Sequence, residues 1–132
     1  MRTEIKSSPY CEDLTTDWSK FNMSEKFFQL LPMFTASYEA SIAGLTDSEG
    51  HSGQVAEQQM ILHYLAASPA VKTVCETGFN YGHSSFNFLT ANPNLKVNSF
   101  DLGIHEYSKT MAKFLPEVLD VGGIDGKRLT VR

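Results

Sequence analysis

The chain has 132 residues, of which 42% are apolar and 20% charged, and a formal net charge of −4. That size fits one soluble domain with its own core. The acidic balance, with no Lys/Arg stripe, excludes a nucleic-acid-binding surface. No apolar run nears the roughly twenty residues that cross a bilayer, so no membrane span is expected.

Residues 1–20 carry Ser, Thr, Asp and Glu without periodicity and read as a loosely held extension. Their polar, acidic start has no signal-peptide pattern. Two cysteines, Cys11 and Cys75, make neither a disulfide framework nor a metal set, which points to a reducing, cytoplasmic setting. Cys75 lies inside a strand pattern and is expected to be a buried small residue.

Residues 21–69 read as a helical cap. Ser24 can cap a helix on which Phe27, Leu31, Phe34, Tyr38 and Ile42 share one face, with Pro32 expected to kink or split it. Thr46 to Gly53 is a loop by composition. A second helix is expected over about Gln54 to Ala67, its apolar face made by Val55, Ile61, Leu62 and Leu65, and Ser68-Pro69 ends it. His51 in the loop and His63 in mid-helix are not a metal pair, since no third ligand is near.

Residues 70–132 read as a partial Rossmann-like domain. A first strand, Val71 to Glu76, runs into a loop with Gly78 and Gly82, and a short helix opens at about Ser84 with Phe86 and Leu89 facing inward. Asn92-Pro93-Asn94 turns the chain into a second strand, Leu95 to Asp101. A third helix covers roughly His105 to Leu119, with Met111, Phe114, Leu115 and Val118 at helical spacing and Pro116 placed to end it early. Leu129-Thr130-Val131 begins a third strand. Strands alternating with helices imply an α/β fold: a Rossmann-like parallel sheet of about three strands, preceded by N-terminal helices.

Strand, glycine loop and helix form the geometry in which amides at a helix N-terminus face a bound anion. Glycines let the backbone come close to a ligand, and Ser84 adds a hydroxyl or caps the helix. Asp101 stands at the next strand end, 101 − 76 = 25 positions after Glu76, where a carboxylate can accept from both ribose hydroxyls. The spacing Glu-x-Gly-x-x-x-Gly departs from the dinucleotide fingerprint, because Asn80 replaces the middle glycine that a pyrophosphate needs. A ligand with a smaller anion, an ammonium and a cationic centre tolerates Asn80 and suits Glu76. S-adenosylmethionine has those features. Phe79, Tyr81 and Tyr107 read as packing residues, and His83, His105 and Glu106 as solvent-facing helix starts.

The stretches E-T-G-F-N-Y-G-H-S and N-S-F-D-L-G resemble the cofactor half of class I S-adenosylmethionine-dependent methyltransferases, closest to the small-molecule O-methyltransferases of the catechol type and their methyltransferase-like relatives. The G-Q-V-A-E-Q-Q-M helix and the K-R-L-T-V strand fit the same pattern. The resemblance implies that Glu76 and Gly78 line the methionine end of the cofactor, with Asn80 and Gly82 in the same loop, and that Ser84 binds its carboxylate. It implies that Asp101 holds the ribose beside Leu102 at the adenine, and that Gly53, Gln54 and Val55 close over the methionine.

In that class the metal ligands, the general base and the pocket for the methyl acceptor, expected to be a small molecule, come from strands that would follow residue 132. The chain is therefore expected to be the cofactor-binding portion of a longer enzyme, inactive alone, with the exposed edge of its first strand open to pairing. A non-catalytic cofactor-binding or interaction module and an NAD-dependent oxidoreductase fragment are the alternatives.

Overall fold

The computed structural model describes residues 22–46 and 48–132; the extension at 1–20, with Cys11, lies outside the described residues. Helix α1 spans Glu25–Ile42 and α2 Ala56–Ala67; then follow β1 Thr73–Thr77, α3 His83–Ala91, β2 Lys96–Phe100, α4 Glu106–Val121 and β3 Leu129–Val131. Short 3-10 turns at Ser52–Gln54 and Gly126–Arg128 precede α2 and β3. The three strands form one parallel sheet in the order β1-β2-β3, with Glu76 beside Ser99 and Val97 beside Leu129. The protein is thus mixed α/β, with N-terminal helices before a Rossmann-like parallel sheet. Among the described residues no helix is long and apolar enough to cross a membrane.

Helix α1 begins where Ser24 accepts the Phe27 N–H at 3.1 Å. It buries Phe27, Leu30 and Phe34, and the Phe34 ring stacks on Phe86 of α3 at 4.4 Å. The helix runs through Pro32 rather than splitting there. Pro32 and Phe28, whose carbonyl loses its donor, are both exposed, so water can satisfy that oxygen while one continuous apolar stripe stays buried. Pro116 likewise fails to end α4, which buries Tyr107, Met111, Leu115, Val118 and Leu119 on both sides of it. Burying these side chains outweighs a proline cost of about 3 kcal/mol.

Side chains from α1, α2, α3, α4 and the strands join a single apolar core. Helix α2 differs from expectation. Val55 and Leu65 are exposed, and its buried positions are His63 and Ala66. His63 earns burial as an acceptor: its Nε2 takes the Ser24 N–H at 3.0 Å and so fastens α2 to the start of α1. On α4, Phe114 also turns partly outward.

Val97, Ser99 and Leu129 are buried on the helix-covered face of the sheet, whereas Thr73, Cys75, Thr77 and Phe100 are exposed on the other. Cys75 is therefore exposed, not buried as expected: strand alternation puts it on the face that none of the described helices covers. Beneath the site, Asn92 and Arg128 fix the strand starts. The Asn92 amide donates to the carbonyls of Ala66, Ser68 and Val71, and the Arg128 guanidinium donates to those of Leu89, Asn92 and Leu95.

Candidate functional site

The carboxyl ends of β1 and β2 are neighbours, and the ladder continues one step beyond them: the Gly78 N–H donates to the Phe100 carbonyl at 2.7 Å. From there the chain must reverse within five residues to start α3. It does so with three left-handed residues, Gly78 at φ +83°, Asn80 at +52° and Gly82 at +84°. Asparagine is among the few residues with a side chain that tolerate this region. Phe79 and Tyr81, between them, turn into the core as expected. At Gly82 the need for glycine is steric as well: a Cβ there would lie 2.8 Å from the Phe79 ring and 2.9 Å from Leu115.

Asp101 leaves the tip of β2 and is held from two sides. One carboxylate oxygen accepts the Asn80 N–H at 3.0 Å and the other the Gly103 N–H at 2.8 Å. Burial pushes the acid up, but the Asn80, Gly103 and Phe79 amides, with His105 nearby, outweigh it and hold the carboxyl below its ordinary value. Three amides against about four lone-pair sites leave the carboxylate room for a further donor. The Asn80 side chain spans the other way, donating to the Gly50 carbonyl at 2.9 Å.

Glu76, in β1, points to the helix side and meets the first turn of α3. Ser84 Oγ donates to one carboxylate oxygen at 2.6 Å and Ser85 Oγ to the other. Ser84 is thus neither the helix cap, which is Gly82 without a side-chain bond, nor a free hydroxyl for an anion. The amides of the α3 first turn remain the donors suited to that anion.

Two pockets meet at Gly78. The larger, about 620 Å³, lies over the strand tips and is lined by Thr77, Gly78, Phe100, Asp101, Leu102 and His105 among others. Leu102 stands 88% exposed on its rim. The smaller, about 330 Å³, is lined by Glu76, Gly78, Asn80 and Ser84 on one side and by Gly50, His51 and Ser52 on the other. Five buried polar atoms on its lining residues, His51 Nδ1, Ser52 Oγ, Asn80 Oδ1, Tyr81 Oη and His83 Nδ1, have no hydrogen-bond partner among the described residues. Such atoms are costly unless a ligand or water satisfies them.

Glu76, Gly78, Asn80, Ser84, Asp101 and Leu102 therefore line these two pockets, which share Gly78, and Gly82 shapes their loop from behind. Gly53, Gln54 and Val55 do not line either one. Gly53 packs against the His83 and His51 rings, the Gln54 side chain accepts the His51 N–H at 3.2 Å, and Val55 faces solvent. The wall they were expected to form is made by the residues just before them.

His83 is not the solvent-facing residue expected. Its ring stacks on His51 at 3.7 Å and meets Phe34 and Tyr38 edge-on. Among the described residues no group of three or more His, Cys, Asp or Glu side chains could hold a metal ion. Comparison with protein families, with curated proteins and with solved structures finds no match to this chain.

Proposed function

We propose that the two pockets bind S-adenosylmethionine and that the chain is the cofactor-binding portion of a methyltransferase acting on a small-molecule acceptor. The observation that carries this reading is the meeting, at Gly78, of a cleft holding Asp101 and a polar pocket holding Glu76. That split matches the ligand: a nucleoside at one end and a charged amino acid at the other.

The residues fit the group. Asp101 keeps acceptor capacity for a ribose hydroxyl, and Phe100, Leu102 and Ile104 give an apolar wall for the adenine. Glu76 faces the ammonium, the α3 amides face the carboxylate, and the unpartnered atoms of His51, Ser52 and Asn80 offer further polar contacts. When bound, the cofactor supplies an electrophilic methyl group on its sulfonium. The protein's part is to hold the donor in one orientation, which is the main lever in such an in-line displacement. Among the described residues no strand pairs with the outer edge of β1, which offers backbone groups to a further strand.

The Asn80 amide occupies the loop position that a pyrophosphate needs clear, which disfavours a dinucleotide. Equilibrium dialysis against labelled S-adenosylmethionine tests the reading. Retention that S-adenosylhomocysteine displaces and NAD does not is the expected result; displacement by NAD alone would overturn it.

A further inference from the structure

The segment 48–55 joins α1 to α2 and forms one wall of the smaller pocket through Gly50, His51 and Ser52. It has no helix or strand of its own beyond a single 3-10 turn, and a few contacts hold it down. Asn80 Nδ2 donates to the Gly50 carbonyl at 2.9 Å, and the exposed Glu49 meets His105 at 3.3 Å. The largest contact is the His51 ring, laid flat on His83 at 3.7 Å with 15° between planes. Gly53 closes against the same pair, so tightly that a Cβ would fall 2.5 Å from the His83 ring.

The surroundings of the two imidazoles suit neutral rings. Tyr38 of α1 bonds His51 Nε2 at 3.2 Å and meets both rings edge-on, and Tyr81 of the glycine loop meets both from the side. Among the described residues, three acids stand on the elements around both rings. Glu76 of β1 lies across the pocket with both oxygens taken by Ser84 and Ser85, Glu49 is turned to His105, and exposed Glu39 acts on Tyr38 from α1. None of them bonds either imidazole. From this arrangement we infer that the His51–His83 stack is a proton-sensitive latch, closed over the smaller pocket when both rings are neutral and released by acid.

The sign follows from linkage. Burial holds His51 below its ordinary value, and burial with the neighbouring His51 holds His83 down to about 3. Both rings take up protons more readily once the segment lifts, so closing expels protons and acid favours the open form. The latch is a property of the free chain and does not rest on the identity of the ligand.

Hydrogen–deuterium exchange of peptides covering 48–55, corrected for the intrinsic pH dependence of exchange, tests it on the whole chain. Between about pH 7.5 and pH 5 the protection of these peptides falls by about tenfold or more while that of α4 stays level. In His51→Phe, which keeps a flat ring and removes one of the two proton sites, the fall shrinks to the part that His83 carries. Unchanged protection in the natural chain overturns the inference, and so does an undiminished fall in His51→Phe. If that variant does not fold, His83→Phe is judged by the same criterion. If neither folds, an NMR titration of the natural His51 ring decides: a midpoint below the ordinary value of about 6.5 supports the latch, and one at or above it overturns it.

Discussion

The backbone N–H of Asn80 donates to the carboxylate of Asp101 at 3.0 Å, so the loop leaving β1 is fastened to the acid leaving β2. With the Asn80 side chain on the Gly50 carbonyl, one residue ties three segments that contribute to the two pockets. The acid is structural before it meets any ligand.

That double duty separates two substitutions. Asp101→Ala strands the Asn80 and Gly103 amides and costs about 1–3 kcal/mol of stability, read as a lower urea midpoint. Asp101→Asn keeps one acceptor and loses less. The same carboxylate sets an acid limit. Because its folded value lies below the ordinary one, its contribution is complete above the unfolded value. It is lost as pH falls through the folded one, so Asp101→Asn flattens the stability profile below about pH 4.

The two loop glycines behave differently although their φ angles match. Gly82→Ala adds a methyl into Phe79 and Leu115 on top of left-handed strain and costs about 2–4 kcal/mol. Gly78→Ala has open space around its Cβ and costs only the backbone strain, about 1–2 kcal/mol. Gly78 lines both pockets, so ligand affinity drops more than stability does. Thermal melts of both variants, with and without S-adenosylhomocysteine, check the contrast.

His63 predicts a second pH dependence, in a higher window. Burial, partly offset by Asn87, lowers it to about 4, and it serves as acceptor to the Ser24 N–H. The fold thus holds it neutral, and its stabilisation is complete above about 6.5 and lost as pH falls toward 4. In His63→Gln, which can still accept from Ser24, the urea midpoint changes less between pH 7 and pH 4.5 than in the natural chain. An equal change would assign the acid sensitivity elsewhere.

The strands, the alternation on β2 and the glycine loop were legible because each is written in nearest-neighbour pattern: period two at Leu95, Val97 and Ser99, and glycines where φ turns positive. Neither the split expected at Pro32 nor the early end expected at Pro116 occurs, because the packing of α1 and α4 overrides a local helix breaker. Cys75 was misread because strand patterning says that two faces exist, not which one the helices cover. The largest omission was His51 against His83. They are separated by thirty-two positions, carry no periodic signal, and meet only because a loop crosses the start of α3. The same crossing puts Gly50, His51 and Ser52 in the pocket wall in place of Gly53, Gln54 and Val55.

The central claim is that Asp101 and the Gly78 loop hold opposite ends of one adenosyl amino acid. Calorimetric titration of S-adenosylhomocysteine into the natural chain and into folded Asp101→Asn tests it most directly. The account predicts saturable binding that the substitution weakens by about 1–3 kcal/mol, roughly 5- to 150-fold. Binding of equal strength in the two proteins would remove Asp101 from the site, and no binding to the natural chain would contradict the assignment itself.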